Sequence, residues 1–305
     1  MTELTKVADG LLFPEGPVAL DDGGVLVVEM ERGTLSRVHP DGRIDVVAEC
    51  GGGPNGAAFG PDGRVYVCNN GGYFEHKAVE GVGNLPVPTP SHEAGSIQAV
   101  DLDTGEVETI YTECDGRRLI APNDLVFDDD GGFYFTDHGV EADHAEFPGV
   151  LYANADGSSI IPLAYGTVSA NGVGLAPDGR HLYVAETHRG TLLEWAVVAP
   201  GEIVSSVGAD GPHGGRLLHK LPDGHLFDSL AVDSEGWVNV ATLVNGGITS
   251  VSPDGDEVIH TPVPDVLTTN ICFGGDGLGT AFITASATGT LYRAPWARSG
   301  LDLAY

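Results

Sequence analysis

Six oxygen-bearing residues stand at comparable places along this chain: Glu15, Asn55, Asn123, Asn171, Asp228 and Asn270, each opening a short stretch of small or apolar residues. None is His or Cys. Hard oxygen donors suit Ca²⁺, Mg²⁺ or Mn²⁺ and disfavour Zn²⁺ or Cu²⁺. Two carboxylates and several amide oxygens would balance a divalent ion and leave coordination positions for water or a substrate oxygen, as Lewis-acid hydrolysis requires. The expected cofactor is therefore one divalent ion, Ca²⁺ first, with Mg²⁺, Mn²⁺ or Zn²⁺ as alternatives. A single Asn or Asp before Gly is more often a turn residue than a ligand; six in register point to a site. A ring of six is wider than one coordination sphere, so four should bind the ion. Asn55 and Asn270 are then candidates for substrate contact or for supporting the ligands.

The elements that must position these residues follow from a repeat. The second copy reads Asn55-Gly56-Ala57-Ala58-Phe59, a turn at Pro61-Asp62-Gly63, an apolar run Val65 to Val67, then Gly95-Ser96-Ile97. The pattern recurs six times, and most copies add a fourth run, such as Ile44 to Ala48 or Val107 to Tyr111. Three or four short strands per copy, with 45 Gly and 19 Pro across 305 residues, leave little room for helices. The repeat predicts an all-β, six-bladed propeller forming one domain over residues 1–305. Each lead residue then opens an innermost strand, and the six converge at one end of the central channel. The sixth copy reaches Trp296 with little after it, while Leu4 to Leu12 has no earlier blade, so the N-terminal segment should close the last blade as its outer strand.

Composition narrows the partners. Forty-four acidic against fourteen basic residues give a net charge of −30, which repels phosphate backbones and anionic lipid. Neither nucleic acid nor a membrane surface is expected as a partner; a small neutral molecule is. No apolar run approaches the roughly 20 residues of a spanning helix, and no export signal precedes Phe13. The four scattered cysteines form no disulfide or zinc framework. These features predict a cytoplasmic protein.

In a propeller, the loop between second and third strands lies on the same face as the lead residues. In the second repeat that loop is the longest insertion, Asn69 to Ala94, carrying Tyr73, Phe74, Glu75, His76 and His92. It reads as a lid or pocket wall, with Tyr73, Phe74 and Glu75 as substrate contacts. By the same geometry His138 and His188 approach the mouth. An ion there would polarise an ester carbonyl while a carboxylate, Asp228 first and Asp124 or Glu15 second, assists water attack. Ser229 lacks the Gly-x-Ser-x-Gly surroundings of a serine nucleophile.

With these residues in view, the sequence resembles the gluconolactonase and senescence-marker-protein (regucalcin-like) family of six-bladed propellers, and more distantly the diisopropyl fluorophosphatases. The family's metal glutamate opens a Glu-Gly-Pro, matched by Glu15-Gly16-Pro17. The resemblance implies further ligands at Asn123, at Asn171 before Gly172, and at Asp228 in the stretch ending Asp233-Ser234-Glu235-Gly236. Thr269 to Gly275 resembles its final-blade signature. Several members carry a substrate-binding Arg two residues before the third-blade Asn; Ala121 stands there, with Arg117 and Arg118 further upstream. The resemblance implies a metal-dependent lactonase acting on a small sugar-acid or related hydroxy-acid lactone. A phosphotriesterase-like hydrolase and a non-catalytic calcium-stabilised scaffold are the competing readings.

Overall fold

The computed structural model describes residues 3–89, 92, 94–139, 148–205 and 212–305. Antiparallel strands group into six blades. Blade one comprises Pro14–Ala19, Val25–Glu29, Thr34–Val38 and Ile44–Glu49; blade two Pro54–Phe59, Val65–Asn69, Ser96–Val100 and Val107–Tyr111. Blade three comprises Pro122–Phe127, Gly132–Asp137, Pro148–Asn154 and Ile160–Tyr165; blade five Leu226–Val232, Val238–Leu243, Gly247–Val251 and Val258–Pro262. Blade four has Ala170–Leu175, His181–Glu186 and Thr191–Ala199, whose outer flank is shared by two short strands, Glu202–Ser205 and Arg216–Lys220. Blade six has Thr268–Gly274, Thr280–Ala285 and Thr290–Pro295, and Thr5–Ala8 pairs with the last of these as the outer strand. The N-terminus thus closes the ring as the repeat arithmetic requires.

Each inner strand packs against that of the next blade, and blade six returns to blade one. The hydrophobic core is distributed accordingly: six apolar clusters, each filled from the facing sides of two neighbouring blades. Second strands have a blade face on either side. Val25–Glu29, Val65–Asn69 and Gly132–Asp137 are therefore buried at every residue, and their sequences run apolar instead of alternating. Cys50, Cys68 and Cys114 are buried and Cys272 half-buried, all as free thiols. Among the described residues no helix is long and apolar enough to cross a membrane.

Two segments leave the repeat. Between the second and third strands of blade two the chain forms a hairpin, Phe74–Val79 with Gly83–Pro88, that crosses the face carrying the lead residues. The His76 ring lies 4.6 Å from that of Phe13 before blade one. Asn84 donates its backbone N–H to the Ala287 carbonyl of blade six at 3.0 Å and its side-chain amide to Glu31 at 2.8 Å. Gly83, at φ 120°, backs directly onto that carbonyl, where a Cβ has no room. At the opposite end of the channel, the chain beyond Pro295 forms a strap. Gly300 bridges to Asp233 and Leu301 donates to the Val232 carbonyl of blade five, while the Tyr305 ring reaches Phe127 of blade three at 5.9 Å. The strap thus runs from one side of the ring to the other beneath the axis.

Candidate active site

The lead residues occupy a repeated irregularity. In every blade the pairing of first and second strands slips near the lead position: between Glu15 and Val18, Pro54 and Ala57, Pro122 and Leu125, Ala170 and Val173, Phe227 and Leu230, and Thr268 and Asn270; in blade six the residue in the lead register is thus Thr269, and Asn270, expected there from the sequence, stands one place further on, as Asp124 does in blade three. Such a bulge re-aims side chains and terminates pairing. The residue after the lead faces the neighbouring inner strand at close range, which explains the recurring Gly. A Cβ on Gly56 would lie 2.6 Å from the Asn123 carbonyl and from Asp124 Oδ1; one on Gly172 would lie 2.7 Å from the Leu230 nitrogen. These glycines are close-approach residues between blades, not turn residues.

A second repeated device holds the leads, and it involves residues at the ends of the second strands that the sequence analysis did not single out. The last residue of the second strand turns its side chain back onto the segment preceding the lead. Glu29 Oε2 accepts from Leu12 N at 2.8 Å, Asn69 Oδ1 from Gly53 N at 3.0 Å, the Asp137 oxygens from Ile120 N and Ala121 N at 2.8 Å, and Glu186 Oε1 from Val168 N at 2.7 Å. The next backbone N–H then donates to the carbonyl two residues before the lead: Met30 to Phe13, Asn70 to Gly53, His138 to Ala121 and Thr187 to Ser169, all at 2.9–3.0 Å. The signal was present in the sequence as Glu, Asn, Asp and Glu in register at the ends of four apolar runs.

All six leads are buried. Glu15 Oε2 accepts from Gly16 N at 3.0 Å and from Asn270 Nδ2 at 3.1 Å, so Asn270 orients the glutamate. Asn171 lies beside the Asp228 carboxyl and favours its charged form, accepts from Ser229 Oγ at 3.2 Å and donates to Thr187 Oγ1 at 3.0 Å. Asp124 is more tied down. Its carboxylate accepts from Leu125 N at 3.0 Å, and the Ser229 hydroxyl and the Val173 and Leu230 amides, from blades four and five, favour its charged form against the cost of burial. Ser229 is thereby engaged by the Asn171 amide, and among the described residues no histidine is bonded to it.

Electrostatics mark the same spot. Burial pushes the Asp124 carboxyl up to about 7. Desolvation likewise raises Glu15 and Asp228, and the charges of neighbouring carboxylates raise them further, Asp124 acting on both and Glu15 on Asp228. Among the described residues no group of three or more His, Cys, Asp or Glu forms a metal cluster, so any ion must draw on amide oxygens as well. Those oxygens are present: Asn55 Oδ1 and Asn123 Oδ1 are buried with no hydrogen-bond partner. A buried acceptor left unsatisfied costs about 1–3 kcal/mol, and a hard cation removes that cost while relieving the carboxylate repulsion. The donors Glu15, Asn123, Asn171 and Asp228 fit a divalent ion.

Around the mouth runs an arc of rings. Tyr73, buried, meets Phe74 edge-on at 4.9 Å and His92 at 5.1 Å; Phe74 faces His138 at 6.1 Å, and His138 faces His188 at 5.9 Å. His188 Nδ1 is bonded to Ser169 Oγ, whose backbone holds the left-handed region at φ 55°. Glu75 points the other way: it is exposed on the outer side of the hairpin and accepts from Thr89 Oγ1 at 3.2 Å. Arg117 and Arg118 lie away from the axis on a two-strand hairpin with Glu113–Cys114, where Cys114 packs on Ile160 of blade three's outer strand.

Comparison with known proteins bears on the fold and the family. The chain is 27% identical over 316 residues to the gluconolactonase of Zymomonas mobilis, covering 93% of this chain and 79% of that protein. It is 27% identical over 244 residues to lactonase drp35 of Staphylococcus saprophyticus, covering 79% and 67% respectively. Among solved structures, the gluconolactonase of Xanthomonas campestris superposes with a TM-score of 0.75 at 23% identity, over 96% of this chain and 89% of that one. The calcium-binding protein regucalcin of Agrobacterium tumefaciens gives 0.71 at 16% identity, over 95% and 92%. These two likenesses speak to the fold. Residues 13–287, from the segment bearing Glu15 to the last inner blade turn, match the region that defines the SMP-30/gluconolactonase/LRE-like proteins, and the chain belongs to that family.

Proposed function

We propose that this protein is a metal-dependent lactonase that opens the ester of a small lactone by water attack. The observation that carries the reading is the convergence of Glu15, Asp228 and the partnerless Asn123 Oδ1 at one buried end of the channel. Relatives named gluconolactonase and lactonase support the same reaction class. Glu15, Asn123, Asn171 and Asp228 would hold one divalent ion, Ca²⁺ by preference for a neutral-amide and carboxylate set. When bound, the ion supplies Lewis-acid polarisation of the ester carbonyl.

The chain's own groups supply the rest. We assign the proton taken from the attacking water to Asp228, which lies beside Glu15 and Asn171, whereas Asp124 is tied by the Leu125 N–H at 3.0 Å. Asn270 keeps Glu15 oriented, and Asn55 offers its free amide oxygen to a substrate hydroxyl or water. The roofing hairpin limits bulk water above the site. The ring-lined mouth also favours, as a second reading, hydrolysis of apolar phosphotriesters, whose P=O would take the place of C=O.

The test is proton release from aldonic, aliphatic and aromatic lactones, before and after chelation and with Ca²⁺, Mg²⁺, Mn²⁺ or Zn²⁺ restored, beside a phosphotriester arm. Metal-restored lactone hydrolysis is the expected result. Asp228→Asn should lower kcat by about 10³-fold or more and weaken metal retention. Near-normal rates in that variant would remove Asp228 from the mechanism. A metal that shifts thermal melting while no ester is turned over would instead identify a structural ion.

A further inference from the structure

Blades one and four share a motif where the second strand ends and the third begins. It reads Glu29-Met30-Glu31-Arg32-Gly33-Thr34-Leu35 in one and Glu186-Thr187-His188-Arg189-Gly190-Thr191-Leu192 in the other, or Glu-x-x-Arg-Gly-Thr-Leu, and no other repeat carries it. Inner strands pack in order and blade six returns to blade one, so these two blades stand opposite each other across the axis. The motifs are also built alike. Glu29 and Glu186 are both wholly buried. One carboxylate oxygen of each accepts the backbone N–H of the residue three before the lead, Leu12 at 2.8 Å and Val168 at 2.7 Å, together with a guanidinium N–H of the motif's own arginine, Arg32 at 3.0 Å and Arg189 at 3.2 Å. The other oxygen accepts a hydroxyl, from Ser36 at 2.6 Å in blade one and from Thr191 in blade four.

What these carboxylates clamp is backbone in an unfavourable conformation. The residue two before the lead is Phe13 in blade one, at φ 56°, and Ser169 in blade four, at φ 55°. Among the described residues, no other blade holds a non-glycine residue in the left-handed region within the three positions before its lead. That region crowds the Cβ of an L residue against its own backbone, and it persists only where the surroundings impose it. Here the motif imposes it from both sides. The preceding N–H goes to the glutamate, and the carbonyls of Phe13 and Ser169 accept from Met30 N and Thr187 N at 3.0 Å each. In blades two and three Asn69 and Asp137 take the glutamate's place, and the corresponding Gly53 and Ala121 are not left-handed.

Two residues beyond each clamped position stand Glu15 and Asn171, on opposite sides of the channel, and the Asn171 amide is bonded to Thr187 of the motif itself at 3.0 Å. Relaxation of φ at Phe13 or Ser169 would carry the following lead with it. We infer that Glu29 and Glu186 are positioning residues for the divalent ion: they hold the left-handed backbone of Phe13 and Ser169 and so keep Glu15 and Asn171 poised on opposite sides of one site. Neither glutamate is a ligand, because both oxygens of each are already engaged. The inference rests on the lactonase reading only for the ion which that reading requires.

The experiment titrates Ca²⁺, and Mn²⁺ as a second probe, into the metal-stripped full chain by calorimetry, and follows unfolding in chelator and lactone hydrolysis beside it. Glu186→Ala and Glu29→Ala should each raise the Ca²⁺ Kd by about 10–100-fold. Glu186→Gln, which keeps an oxygen for the Val168 N–H, should raise it less. Ser169→Gly tests the cause: glycine adopts the left-handed region freely, so adding it to Glu186→Ala should recover most of the lost affinity. If Glu186→Ala does not fold, Glu186→Gln with and without Ser169→Gly makes the same comparison. A purely structural role would lower the unfolding midpoint in chelator while leaving the Kd of the folded variants unchanged and giving glycine nothing to rescue. That result, or a wild-type chain that takes up neither ion, overturns the inference. Metal-restored hydrolysis with a Kd indifferent to the variants removes the inference alone; a Kd that follows the variants while no lactone is opened removes the lactonase reading alone.

Discussion

At the scale of single residues, Asp124 links the lead of blade three to its neighbours. Its carboxylate is buried, accepts from Leu125 N at 3.0 Å and is held charged by groups of the next two blades, so its removal leaves a buried N–H without its acceptor. Asp124→Ala should cost about 3 kcal/mol of unfolding free energy, and Asp124→Asn, which keeps one acceptor oxygen, about half of that. Denaturant melts would check the order, and equal losses would show that the charge matters more than the acceptor. Five lead positions were legible in the sequence because a polar residue recurs before the same apolar run; in blade six Asn270 stands one place beyond the register, where Thr269 sits. Their hydrogen-bonding was not, because Asp124 and Ser229 follow leads at places where blades one, two and four carry Gly, and nothing in one-dimensional spacing says that such a side chain crosses to another blade. Glu29, Asn69, Asp137 and Glu186 are the opposite case: their register was readable, and only their backward reach onto the preceding segment needed coordinates.

Among the elements, the hairpin Phe74–Val79 with Gly83–Pro88 departs most from the repeat. Its existence followed from the length of the insertion, but its direction did not, since docking depends on Gly83 and Asn84 meeting blade six. His76 adds a pH term. Burial pushes its imidazole down to about 4, and its Nε2 has no partner. A group that is harder to protonate when folded favours docking fully above its unfolded value of about 6.5, and that contribution is lost as pH falls from there through 4. Hydrogen exchange of the hairpin amides should therefore quicken across that window. His76→Phe, which keeps the contact with Phe13 and cannot be protonated, should abolish the trend; an unchanged profile would assign the pH dependence to other groups.

For the whole molecule, ring closure has two fasteners. The N-terminal strand Thr5–Ala8 was foreseeable, because a blade without an outer strand and a strand without a blade imply each other. The C-terminal strap was not, because residues after Trp296 belong to no repeat. Its anchor is Arg298, whose Nε donates to the buried Asp233 at 2.6 Å and whose guanidinium lies 4.0 Å from the Trp237 ring. Arg298→Ala leaves that carboxylate buried without its cation and should cost about 3 kcal/mol, read as a lowered unfolding midpoint. A change within 0.5 kcal/mol would mean that the strap is dispensable to stability. The strap also decides traffic. Chain lying across the far end narrows that exit, so a product of the proposed reaction would leave by the face at which the substrate arrives. Opening of a neutral lactone there would produce an anion, which a molecule carrying thirty excess negative charges repels while leaving the neutral reactant indifferent. Salt would blunt the ejection, so inhibition by the ring-opened acid should deepen as ionic strength rises.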